Sequence, residues 1–207
     1  MDDDISDVSG SFDRGLNYET IKKKLIKRMN KLYEKIQEKY TNIGMKRLVY
    51  SVIAIIQLRN GSRISEAVKA FILFIKNGIE NRVTIKVSKT GGIKIKKDGT
   101  RFKTKVRARE MMWPKWISPK IYDTLNNDKI VVNIIKAGTL KKRVLDYLLN
   151  NFQCNTHSLL YAFINYALYE LKRPMNDIAK FVGHANTAQM VTYTQKKNSD
   201  QIFDLDI

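Results

Sequence analysis

Residues 82–109 read RVTIKVSKTGGIKIKKDGTRFKTKVRAR. Val83, Ile85 and Val87 alternate with polar neighbours, the two-residue period of a half-buried strand. Thr90-Gly91-Gly92 and Asp98-Gly99 supply turn residues within it, so the stretch predicts a hairpin-like antiparallel region. Eleven lysines and arginines fall here against one acid, Asp98. The segments on either side carry helical spacing. This β stretch therefore sets the fold class as mostly α with a small antiparallel β-sheet, an α+β domain.

Upstream, Ile21, Leu25, Met29, Leu32, Ile36 and Tyr40 recur at helical intervals with lysines between them, which predicts a basic amphipathic helix over Tyr18–Tyr40. Asn42 and Gly44 are expected to break it. Met45–Leu58 is apolar on more than one face and predicts a buried helix. Asn60-Gly61 closes that helix, and Ser62 suits the N-cap of another running to about Lys76. Downstream, helices are expected at roughly Pro119–Asn126, Thr139–Asn151, Thr156–Leu171, Pro174–Phe181 and Thr187–Thr194. Residues 1–17 read as a disordered acidic tail, 18–195 as one domain, and 196–207 as a second tail able to dock on a neighbouring copy.

The net charge is +18, and it is unevenly placed. All 38 lysines and arginines lie between Arg14 and Lys197, where twelve of the 20 acids accompany them, so that stretch carries +26. Self-repulsion of this size implies a polyanionic partner. Lys86, Lys94, Lys96, Lys97, Arg101, Lys103, Lys105, Arg107 and Arg109 are the expected nucleic-acid contacts. A single cysteine, Cys154, excludes an internal disulfide framework. With two histidines beside it, a multi-ligand zinc site is not expected, although Cys154 and His157 have the spacing of half of one. No apolar run approaches the about 18 residues of a membrane span, and the acidic start is unlike a signal peptide, so the expected location is the cytoplasm.

Three places hold residues suited to phosphate chemistry. Arg63, in GSRISEA, opens a helix where its guanidinium lies beside free backbone N–H groups. Lys89, ahead of Thr90-Gly91-Gly92, can reach a minor groove or donate a proton to a leaving oxygen; Lys86 comes next. His157, His184 and Tyr193 form a late series, with His184 directly after Gly183 and Tyr193 nine residues further on. Each element alone is weak, since helix-start arginines and helical histidines are commonly structural.

In this order the stretches GSRISEA, THSLLYAFINYAL and IAKFVGHANTAQMVTYTQ resemble the motif boxes of the tyrosine site-specific recombinases, the phage-integrase family, over about Met45 to Gln195. The resemblance implies a recombinase catalytic-domain fold and a DNA strand transferase of a mobile element, virus or plasmid. It further implies a homo-oligomer, dimer or tetramer, acting on double-stranded DNA without cofactor or metal. On this resemblance Arg63 would clamp the scissile phosphate, Lys89 would protonate the departing 5′ oxygen, His157 and His184 would position the phosphate and move protons, and Tyr193 would attack. A phenol with a pKa near about 10 needs such a base or cationic field to react at neutral pH.

The chain departs from the pattern at Leu160, where the family carries a second clamp arginine. A missing oxyanion donor commonly costs about 2.7–4 kcal/mol of transition-state stabilisation, so cleavage by this sequence is expected to be impaired. Tyr18–Tyr40 alone is available for the separate helical domain that usually precedes the catalytic one. The alternatives are a catalytically degenerate DNA-binding protein, a type IB topoisomerase or telomere resolvase, and an RNA-binding role resting on charge alone.

Overall fold

The computed structural model describes residues 16–87, 92–95, 98–104 and 107–184. Within them the chain is mainly helical, with two small antiparallel ribbons. Lys89, Lys96, Lys97, Lys105, Tyr193, the expected helix at Thr187–Thr194 and the segment 196–207 lie outside the described residues.

Helix α1, Tyr18–Glu38, starts at Asn17, whose side chain accepts from the Thr20 N–H at 2.9 Å. Its predicted stripe is buried from Ile21 to Ile36, with Tyr18 buried beside it, but the helix ends before Tyr40. Tyr40 is exposed, its hydroxyl donating to Asp128 at 2.8 Å. Helix α2, Asn42–Asn60, begins earlier than expected because the Thr41 hydroxyl caps the Gly44 N–H at 3.0 Å. Asn42 and Gly44 thus sit inside a helix rather than breaking one. Being apolar nearly all round, α2 runs through the core, where each fully buried leucine or isoleucine is worth about 1.5–3 kcal/mol. α1 packs its stripe on the same core.

Gly61 ends α2 in the left-handed conformation, φ 51°. The next helix, α3 (Ile64–Asn77), takes Arg63 rather than Ser62 as its N-cap. Glu66 accounts for the difference: its carboxylate accepts from the Arg63 N–H at 3.3 Å, closing the first turn from inside.

β1 (Val83–Lys86) pairs antiparallel with β4 (Ala108–Met111), and β2 (Gly92–Ile95) with β3 (Arg101–Thr104). The second ribbon is an excursion from the first. Lys94 and Lys103 lie on its two strands, and Asp98 and Gly99 at its turn. On β1, Val83 and Ile85 face inward while Thr84 and Lys86 face out. On β4, Arg109 and Met111 face inward.

Helices α4 (Pro119–Asn126), α5 (Lys129–Lys136) and α6 (Leu140–Phe152) close the other side of the core. α5 has no counterpart in the sequence expectation. It starts where the Asp128 carboxylate accepts from the Ile130 N–H at 2.7 Å. Helix α7, Thr156–Asn165, widens into a π-helical turn, Tyr166–Glu170, instead of continuing to Leu171. Pro174 caps the last described helix, α8 (Met175–Val182), which ends at a left-handed Gly183. Leu160, Ile164, Ala167, Ile178, Ala179 and Val182 form a second, smaller apolar cluster joining α7 to α8. No described helix is long and apolar enough to cross a membrane.

Candidate active site

The turn between α2 and α3 is held from three sides. Asn60 pairs with the main chain of Met112, just past β4: its Oδ1 accepts from the Met112 N–H and its Nδ2 donates to the Met112 carbonyl, each at 3.0 Å. Arg109 reaches in from β4, where its guanidinium donates to the carbonyls of Asn60 and Gly61. Phe163 on α7 lies against Gly61 so closely that a Cβ there would come within 2.2 Å of its ring. Phe163 stacks on Phe181 of α8, and the Phe181 ring in turn lies 5.2 Å from the Arg109 guanidinium carbon.

Glu66 is the counter-ion of this assembly. Fully buried, it faces Arg63 at 3.3 Å and Arg109 at 3.6 Å. Arg63 keeps 19% of its side chain exposed, so its guanidinium forms an accessible cationic edge above a buried carboxylate. Burial lowers the Arg109 pKa to about 10, with Glu66 acting against that fall. Arg109, grouped above with the nucleic-acid contacts, is 7% exposed and belongs to the interior framework instead. The period-two pattern of β4 was its signal, because Met111 faces inward and Arg109 shares its face.

His184 joins the same assembly from the far end of the chain. The Gly183 turn lets the His184 N–H donate to the Ala179 carbonyl at 2.8 Å, and Arg107 donates to the His184 carbonyl at 3.0 Å. A Cβ on Gly183 would lie 2.8 Å from Val87, so glycine allows this close approach of the loop to the residue that follows β1. The imidazole is 5% exposed. Burial, then the charges of Arg63 and Arg109, push its pKa down to about 4 and keep the ring neutral.

The structure thus brings Arg63 and His184 into one electrostatic neighbourhood. His157 is exposed at the start of α7. Leu160 is 2% exposed and packs in the α7–α8 cluster rather than lining a polar site. Lys86 and Arg101 are exposed on the ribbons, and Arg107 is exposed just ahead of β4. Among the described residues no cluster of three His, Cys, Asp or Glu side chains could hold a metal ion. Cys154 is buried, which raises its thiol pKa to about 11.

The chain is 42% identical to the "Putative integrase V10" of Sputnik virophage, over 98% of this chain and 96% of that protein. It belongs to this integrase family. The "Putative integrase ORF241" of Acidianus two-tailed virus is 32% identical over 93% of this chain and 67% of its own length. An uncharacterised protein of Methanocaldococcus jannaschii is 30% identical over 96% of this chain and 90% of its own. No family model and no solved structure matches this integrase.

Proposed function

We propose that this integrase is the catalytic domain of a tyrosine recombinase that cuts and rejoins double-stranded DNA through a 3′-phosphotyrosyl bond at Tyr193. The observation that supports this reading most is the shared setting of Arg63 and His184, an accessible guanidinium and a neutral imidazole from positions 121 residues apart. The order of motifs and the integrase names of two viral relatives point the same way.

In this mechanism a phosphodiester meets Arg63, and its negative charge offsets the cationic field on His184. That raises the basicity of an imidazole otherwise held near pKa about 4. The Tyr193 oxygen bonds to phosphorus as the bond to the 5′ oxygen breaks. His184, or His157, takes the phenolic proton, and Lys89 gives one to the departing oxygen. Arg63 carries the charge that builds on the non-bridging oxygens. The covalent link conserves the phosphodiester energy, so religation is the reverse of the same steps. DNA is then held by the exposed cations Lys86, Arg101 and Arg107 together with the remaining ribbon lysines, and copies of the chain assemble on it.

Burial of Leu160 among apolar side chains favours one second reading, a family member that occupies DNA without cutting it. A nicked suicide duplex separates the two. The recombinase reading expects a covalent adduct with the native chain, slowed by Leu160 in place of the second clamp arginine, lost in Tyr193→Phe and reduced at least a hundredfold further in Arg63→Ala. Duplex binding with no adduct on any cognate site would leave the binding-only reading.

A further inference from the structure

Gln57 is 1% exposed on α2, a helix whose other buried positions are mostly aliphatic. Its Nε2 donates two hydrogen bonds, to the Ser62 carbonyl at 3.0 Å and to the Thr156 carbonyl at 2.6 Å. Ser62 immediately precedes Arg63, and Thr156 immediately precedes His157. The Gln57 main-chain carbonyl also accepts from the Ser62 N–H at 3.1 Å, so this residue holds the segment ahead of α3 by backbone and side chain.

Both partners are carbonyl acceptors, which requires the amide nitrogen to face them. The other amide atom, Oε1, is buried and has no hydrogen-bond partner among the described residues. A buried polar atom left unpaired is unfavourable, and an apolar side chain of similar size would avoid it. The amide is therefore poorly explained as core filling. It is well explained as a tie between two segments that α2 alone would not hold in register.

We propose that Gln57 is a positioning residue, whose amide nitrogen fixes the Arg63 segment against the His157 segment so that both side chains meet one phosphate. The inference rests on the recombinase reading for the roles of Arg63 and His157. Its geometry, however, can be read without turnover.

This integrase has two histidines, so their imidazole NMR signals can be assigned with His157→Asn. Inorganic phosphate is titrated into the native chain and into Gln57→Met and Gln57→Leu, which keep roughly the side-chain size and remove the donor. In the native chain both imidazole signals are expected to move with one apparent affinity. In the variants the His184 response should persist while the His157 response weakens at least fivefold. Persistence of the His184 response also shows that the variants remain folded. No His157 response in the native chain, or equal His157 responses in native and variant chains, would overturn the proposal.

Adduct formation on a suicide duplex is measured in parallel. A ten- to hundredfold slower rate in the variants, with duplex affinity within about threefold of native, is expected. A native chain that forms no adduct yet shows the phosphate effect keeps the Gln57 tie and discards the recombinase reading.

Discussion

Glu66 has no exposed side-chain surface, and its two carboxylate oxygens face Arg63 and Arg109. Removing one member of a buried ion network leaves an uncompensated charge, typically at about 3–5 kcal/mol. Glu66→Ala should therefore lose about that much stability in urea unfolding, whereas Lys86→Ala on the exposed face of β1 should change it by about 0.5 kcal/mol or less. His184 makes a pH prediction of definite sign. Its folded pKa, near about 4, lies below that of a free imidazole. Between those two values the unfolded chain binds the extra proton, so stability falls as pH drops from about 6.5 to about 4. His184→Asn should flatten that part of the stability profile. Gly61 is constrained twice, by its left-handed backbone and by the Phe163 ring. Gly61→Ala should cost about 1–3 kcal/mol from overpacking, added to about 1–2 kcal/mol for the backbone, measured by thermal unfolding.

At the level of elements, α7 and α8 are joined through an apolar cluster that includes Leu160. A guanidinium at position 160 must either remain there unpaired or leave the cluster to reach Arg63. Leu160→Arg is expected to lower stability by on the order of 3 kcal/mol in denaturant titration, while Leu160→Met should stay within about 1.5 kcal/mol. The helix pattern was legible where apolar periodicity met a clear boundary signal, as at Asn60-Gly61, which ends α2, and at Pro119, which opens α4. It was less legible where capping decided the boundary. Thr41 starts α2 ahead of two apparent breakers, and Asp128 starts the short helix α5. The inward side of β4 could be read from alternation, but the number of cations in the segment masked Arg109 as one more surface charge.

For the whole molecule, the excess of positive charge is a statement about partners. Under the recombinase reading, duplex affinity should fall linearly in its logarithm with log salt concentration. Lys86→Glu and Arg101→Glu should each reduce that slope by about 0.9 if each contacts one phosphate. Unchanged slopes would place the contact face elsewhere. The same field acts inside the fold, where Arg63 and Arg109 add to burial in holding the His184 pKa down. Contact and chemistry thus draw on one charge distribution.

Local pattern fixed the fold class, the main helices and the order of the candidate site residues, because periodicity and turn chemistry act over a few residues. The grouping of Arg63, Glu66, Arg109 and His184, the exposure of His157 and the burial of Leu160 depended on the tertiary structure. Those features come from contacts between segments distant in sequence: the Gly61–Phe163 approach, the Gly183–Val87 approach and the Gln57 bonds across α2. No short-range rule encodes them, since burial of a charge or an amide is decided by whatever packs over it.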